Sequence, residues 1–215
     1  YGVSKIHPIL KSRFWWPTLL ADLTAYVAGC IPCQRHRLGK FRNVPVQPFL
    51  SATRPCQVIS VDAIKLPYSD AGSQALVCVD LFTTFTWAWV LPYCTAIEVC
   101  RILKDGLFIP LDWPETLLSD SGPEFRNHVL KALMDESKAA QRFTSTYHPQ
   151  ANLAERYNRS ILDRLKRMCA NRSDWPSLLQ AAVSTINKTS FAGTSITPFE
   201  MMYRFAPRDA ISHQL

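Results

Sequence analysis

Three apolar runs rich in β-branched and aromatic residues, QVISVDAIKL, QALVCVDLFT and FTWAWVLPY, follow one another closely and do most to limit the folds open to this chain. Each has the length of a strand, and turn residues from Ser69 to Ser73 separate the first two, so the three read as an antiparallel meander. Beyond them the period changes. A helix is expected from Thr95 to about Phe108, then a short strand in PETLLSD, then a helix beginning at Pro123 whose Phe125, Val129, Leu130, Leu133 and Met134 share one face. A further short strand is expected from Ala139 to Phe143. This order predicts an α/β fold, a mixed five-stranded sheet flanked by helices, in which carboxylates at strand ends converge on one edge.

From Asn152 to about Asn171 the pattern is that of a long amphipathic helix. At about 100° per residue, Tyr157, Ile161, Leu162, Leu165, Met168 and Cys169 occupy one apolar arc, and Arg156, Arg159, Arg164, Lys166 and Arg167 crowd the opposite one. A helix capped by Ser173 or Asp174 is expected from Trp175 to about Lys188, and a short one after Thr197 and Pro198. Ahead of the strands, residues 1–38 read as a small helical appendage, with Pro17 placed where a helix can start, running to Cys30 and Cys33. Residues 39–55 contain Pro45, Pro48 and Pro55 with little periodicity and read as an extended linker, which leaves 56–208 for the main domain.

Lys and Arg total 24 against 17 Asp and Glu, a formal charge of +7. With a pI near 9.1, that balance favours an anionic partner such as nucleic acid, although a merely basic soluble protein fits it too. The seven cysteines are odd in number, and Cys56, Cys78, Cys94, Cys100 and Cys169 lie in or beside apolar stretches. Buried thiols in a reducing, intracellular compartment are the expectation. No apolar run approaches the roughly 20 residues that span a bilayer, so no membrane partner is expected. The chain starts at Tyr1 within a helical pattern, and so reads as a piece of something longer.

Three acids stand in three different settings: Asp62 in VISVDAIKL, Asp120 in LLSDSGPEF and Glu155 in YHPQANLAERYNRSI. Each has a plain alternative. Asp62 could face water from an edge strand, Asp120 could be a turn residue capping the next helix, and Glu155 could close a capping box with Asn152 or pair with Arg159. Asp80, in CVDLFTTF, resembles Asp62 in setting but sits beside a Thr-rich turn that can satisfy it, which assigns it a structural role. The joint argument favours chemistry. Converging carboxylates repel one another without a cation, and a pair of divalent ions about 4 Å apart can activate an attacking oxygen and stabilise a leaving one. Hard oxygen ligands point to magnesium or manganese.

These segments, together with FWWPTLLADLTAYVAGCIPCQ, VDLFTTF, Trp175 and TPFEMMYRFAPR, resemble the integrases of long-terminal-repeat retrotransposons, the gypsy type in particular. The resemblance runs from Tyr1 to about Arg208 and implies the RNase H-like fold shared with retroviral integrases and many transposases. It implies that Asp62, Asp120 and Glu155 are the catalytic, metal-binding acids. A DNA 3′ hydroxyl would attack a phosphodiester of target DNA, and water would replace it during end trimming, an endonuclease step. Arg156, Arg159 and Lys166 would bind DNA phosphates, with His148, Gln150 and Asn158 supporting the site. The implied partners are element ends, target DNA and further copies of the chain, with no small-molecule substrate; the setting is a polyprotein product acting in the nucleus.

The sequence also departs from that pattern. The family's zinc-binding domain uses two histidines ahead of two cysteines, and here Cys30 and Cys33 supply only the second half; His7 and His36 are the local substitutes to weigh. The family usually has Gly between the positions of Asn152 and Leu153, and its absence would swing Glu155 by about 100° if the helix continued rigidly. Arg204 stands where the family often has Gly after a short helix, and a left-handed backbone there would cost about 1 kcal/mol. Such marks leave a second expectation open, a catalytically inactive or domesticated remnant that still binds DNA or protein.

Overall fold

The computed structural model describes residues 2–30, 51–144, 153–190 and 195–208. The three apolar runs form Val58–Ser69 (β1), Gly72–Asp80 (β2) and Thr86–Leu91 (β3), paired antiparallel. Thr116–Ser119 (β4) pairs parallel with β1, and Ala140–Phe143 (β5) pairs parallel with β4. Among the described residues these make one mixed sheet in the order β3-β2-β1-β4-β5, so β1 is central. The β1–β2 hairpin needs its glycine: Gly72 has φ +126°, and a Cβ there would lie 2.8 Å from the Pro92 Cα.

Strand alternation divides the core into two layers. Ile59, Val61, Leu76 and Cys78 face a cluster with Ala96–Leu103 (α3) and His128–Glu136 (α4). Ile64, Ala75, Val77 and Val79 face the opposite cluster, built on Leu153–Met168 (α5) and Trp175–Asn187 (α6). Trp175, fully buried, donates its Nε1–H to the Pro67 carbonyl at 2.8 Å and fastens α6 to β1. Edge strand β3 is closed by amides from α6. Asn187 accepts from the Thr86 N–H and donates to its carbonyl, both at 2.8 Å, and Gln180 donates to the Ala88 carbonyl at 2.6 Å. The appendage holds Val3–Lys11 (α1) and Leu19–Gly29 (α2), and Asp22 in α2 accepts from Trp16 and Thr18, both at 2.7 Å.

Several boundaries differ from the sequence expectations for local reasons. Helix α3 does start at the Thr95 cap, but it passes through a π-helical turn at Lys104–Phe108 and ends in Ile109–Leu111. Helix α4 starts at His128, not Pro123, because the Asn127 side chain accepts the Leu130 N–H at 2.8 Å while residues 123–126 make a separate turn. Neither Ser173 nor Asp174 caps α6 with its side chain; Asp174 turns back to the Asn171 N–H at 3.0 Å, in a capping box around Arg172–Asp174. Met168 is 39% exposed, for it is the last residue of α5, and the buried stripe is Ala154, Asn158, Ile161 and Leu165. The short helix Pro198–Tyr203 (α7) carries the Thr197–Glu200 capping box, and Arg204 after it adopts φ 65°, the left-handed conformation weighed above. No helix among the described residues is long and apolar enough to cross a membrane.

Candidate metal centre at the sheet edge

The register of β1 and β4 brings the first two acids together. Ser60 lies opposite Leu118 in the parallel pair; moving two residues along both chains sets Asp62 beside Asp120, just past the end of β4. Parallel strands end at the same edge, so two carboxylates far apart in sequence meet there without any special loop. Asp62 is half-buried, its Oδ1 accepting the Ala63 N–H at 2.9 Å. Asp120 accepts the Gly122 N–H at 3.0 Å, so it is a turn residue as well as a neighbour of Asp62.

Helix α5 brings the third. Ser60 and Asp62, two apart on β1, point to the face that α5 covers. The Ala154 N–H reaches Ser60 Oγ at 3.4 Å, and one turn on, Asn158 Nδ2 donates to Asp62 Oδ2 at 2.7 Å. Glu155 lies between these two anchors, in the first turn. Its charge is felt at Asp62, less strongly than that of Asp120. Glu155 also makes its local pair with Arg159 at 2.9 Å; Asn152 lies outside the described residues.

Electrostatics show the same convergence. Burial, first, and then the charge of Asp120 push the Asp62 carboxyl up to about 6, with Glu155 and Glu124 adding smaller pushes against the Ala63 hydrogen bond. Asp80 is also pushed up by burial, but every other influence lowers it: hydrogen bonds from the Thr83 hydroxyl and from the N–H groups of Thr83, Cys56 and Phe82. The Thr-rich turn does satisfy Asp80.

On the outer side of α5, Arg156, Arg159 and Lys166 are exposed, whereas Arg167 is held half-buried against Asp163 at 2.7 Å and Arg164 donates to the Ser160 carbonyl. His148, Gln150, Cys33 and His36 lie outside the described residues; Cys30 follows the appendage's second helix and His7 lies within its first. Of the thiols, Cys78 and Cys100 are buried, and Cys56, Cys94 and Cys169 only partly so. One residue beside Asp62 carried no signal of its own in the sequence: Ser60 looks like any strand serine until α5 docks on it.

Among the described residues no three His, Cys, Asp or Glu side chains are already gathered into a group that could hold a metal ion. In chemistry the donors are those of a hard divalent cation, the carboxylate oxygens of Asp62 and Asp120, with the charge of Asp120 felt at Asp62. Carboxylates that repel one another close up only around a cation.

Comparison with known proteins bears on the family and the fold. The integrase core domain family matches residues 52–149, and the integrase zinc binding domain family matches residues 1–38. The Pro-Pol polyprotein of feline foamy virus is 27% identical over 199 residues, covering 90% of this chain and 17% of the polyprotein. The transposon Tf2-3 polyprotein of Schizosaccharomyces pombe is 25% identical over 217 residues, covering 96% of this chain and 16% of its own length. The chain thus spans about one sixth of the curated relatives it matches. In fold it is similar to the catalytic core domain of BIV integrase, with TM-score 0.56 and 23% identity over 69% of this chain and 95% of that one. It is also similar to a chain of a simian T-cell lymphotropic virus intasome in complex with a PP2A regulatory subunit, with TM-score 0.62 and 17% identity over 96% of this chain and 76% of that one.

Proposed function

We propose, since this chain belongs to the retroelement integrases, that its core is a metal-dependent polynucleotidyl transferase that trims the ends of an element's DNA and joins them to target DNA. One observation carries the reading: the β1–β4 register sets Asp62 beside Asp120 at the edge where α5 delivers Glu155. Asp62, Asp120 and Glu155 would hold two divalent cations, magnesium or manganese, which when bound polarise the phosphodiester and stabilise the leaving oxygen. The chain's own groups do the rest. The Asn158 amide fixes the orientation of Asp62, and the Gly122 N–H holds one oxygen of Asp120.

Arg156 and Lys166 would take DNA phosphates from the exposed side of α5, giving affinity that is indifferent to sequence and sensitive to salt. Arg159 would exchange Glu155 for a phosphate as DNA arrives. Joining two DNA ends to one target calls for at least two copies of the chain, and an intasome neighbour of the same fold supports that assembly. Cys30 and Cys33 would be half of a zinc site in the appendage.

The test is magnesium- or manganese-dependent cleavage of a branched DNA that mimics the joined product, since the branch places the reacting groups in advance. Cleavage by this chain and none by Asp62→Asn is the expected result. Salt-sensitive DNA binding with no cleavage by either would replace it with the second reading, a remnant that holds DNA, which the left-handed Arg204 would suit.

A further inference from the structure

Arg54, Arg101, Arg159 and Arg167 are each paired with an acid. Arg126 is held differently. It is exposed, and its guanidinium carbon lies over the Phe143 ring, 5.9 Å from the centroid. A ring contact places a guanidinium without neutralising it, and no ion pair among the described residues involves Arg126.

Both members of this contact are anchored beside Asp120. The Arg126 N–H donates to the Gly122 carbonyl at 2.8 Å, and the N–H of the same glycine holds Asp120 at 3.0 Å. Phe143 ends β5 opposite Ser119, the residue before Asp120, and the Thr144 N–H donates to the Ser119 carbonyl at 2.8 Å. Arg126 is thus fixed at the acid edge by backbone on one side and by a ring on the other. It stands on the α4 side of the sheet. Gln141, two residues before Phe143 on β5, donates to the Phe125 carbonyl and lies opposite Leu117, which packs in the cluster with α3 and α4. Helix α5 covers the other face.

A second exposed cation lies on the same face as Arg126. Lys65 is three residues beyond Asp62 on β1, so it points away from α5, to the face on which Ile59, Val61 and Ala63 pack. Burial comes first among the influences on the Cys94 thiol, and after it the charges of Glu124, Asp120 and Lys65 all reach it, which sets the lysine on the Asp120 side of the edge.

Cations held by the three acids would answer the charge of one phosphodiester, the one that reacts. Its neighbours along the same backbone need cations of the chain's own on both flanks. Arg156 and Lys166 stand on the α5 flank. Resting on the integrase reading, we propose that Arg126 and Lys65 are the phosphate contacts of the opposite flank, so that DNA crosses the sheet edge and is held from both faces of the sheet.

The experiment is equilibrium binding of duplex DNA in chelator, read by fluorescence anisotropy across a salt series, with circular dichroism to confirm that each variant is folded. Arg126→Ala and Lys65→Ala should each lower the slope of log affinity against log salt by about 0.9, and the double variant by about 1.8. Lys138→Ala is the control. Lys138 is exposed just before Ala140, at the end of β5 away from Phe143, and its loss should leave the slope unchanged. Unchanged slopes in Arg126→Ala and Lys65→Ala, with Lys166→Ala lowering its own, would remove this flank from the DNA path and leave the integrase reading standing. A loss in Lys138→Ala equal to theirs would mean that diffuse charge, not a track across the edge, holds the DNA, and would overturn the proposal. No duplex binding by the unmodified chain, or no change in any variant including Lys166→Ala, would overturn both.

Discussion

Asp62 and Asp80 lie on strands that pair with each other, in similar apolar sequence, and burial pushes both carboxyls up. What surrounds them differs. At the Asp80 corner, the Thr83 hydroxyl at 2.6 Å and the N–H groups of Thr83 at 2.7 Å and Cys56 at 2.9 Å all donate to the carboxylate, which ties β2 to the chain leading into β1. At the Asp62 edge, after one backbone N–H and one amide, the neighbours are further carboxylates. A buried acid answered by donors holds a fold together. A buried acid facing other acids lowers stability unless something cationic is to be bound, and that is the physical mark of a site.

The largest effect should come from separating the two. We predict that Asp120→Asn lowers divalent-dependent cleavage of branched DNA by about 1000-fold or more, on a scale where several kcal/mol of lost charge stabilisation each count about tenfold per 1.4 kcal/mol. Its urea midpoint should stay close to that of the unmodified chain. Asp80→Asn should do the reverse, since its amide would face donors with a donor: a loss of about 1–3 kcal/mol in unfolding free energy, and near-normal cleavage by the folded fraction. If Asp80→Asn abolished cleavage without loss of stability, the contrast between the two acids would break.

Asn158 tests the hydrogen bond that joins helix α5 to Asp62. Asn158→Ala removes the 2.7 Å hydrogen bond together with an unpartnered buried oxygen, so stability should change little. Cleavage should fall by about 10- to 100-fold, as for other residues that orient a metal ligand. Asn158→Asp, which sets a like charge against Asp62, should fall further. Equal activity in all three chains would show that Asp62 needs no positioning.

A smaller effect follows from protonation. The Asp62 carboxyl, pushed up to about 6 from an ordinary 3.8, binds its proton more tightly in the folded chain than in the unfolded one. Its contribution to stability is therefore full below about pH 4 and is lost as pH rises through about 6. In chelator, Asp62→Asn should gain on the unmodified chain by about 1 kcal/mol between pH 4 and pH 7, once solvent screening at this half-exposed group is allowed for. Urea unfolding at several pH values measures it. A flat difference would mean that neither burial nor the neighbouring acids raise the Asp62 carboxyl.

Much of this contrast was legible in the sequence because it rests on local pattern. The β-branched runs announced β1 to β3, and the Thr-rich turn beside Asp80 announced its donors. Thr95, and Thr197 with Pro198, marked helix starts where the structure has them. What stayed hidden depends on register or on competition between signals. That Ser60 lies opposite Leu118 is a property of two strands separated by two further strands and a helix, and no residue near either encodes it. Pro123 and Asn127 are both good helix starters, and it is the Asn127 side chain that accepts the Leu130 N–H and starts the helix. The Asn158 amide reads as one more polar position on an amphipathic helix until β1 supplies its partner.

The finest comparison is between two exposed cations on the outer side of α5. Arg159 is paired with Glu155 at 2.9 Å, whereas Lys166 is an exposed cation nearer the far end of the helix. Each phosphate contact removed should lower the slope of log affinity against log salt by about 0.9 on duplex DNA. Lys166→Ala should show close to that full change. Arg159→Ala should show less, because part of its charge was already neutralised within the chain by Glu155. Adding Glu155→Gln to Arg159→Ala separates the two contributions: with the acid gone, the slope should return toward that of a chain lacking one phosphate contact and no more. If Arg159→Ala and Lys166→Ala gave identical slopes in both backgrounds, the ion pair would have no hold on how α5 meets DNA, and Arg159 would be a phosphate ligand on the same terms as Lys166.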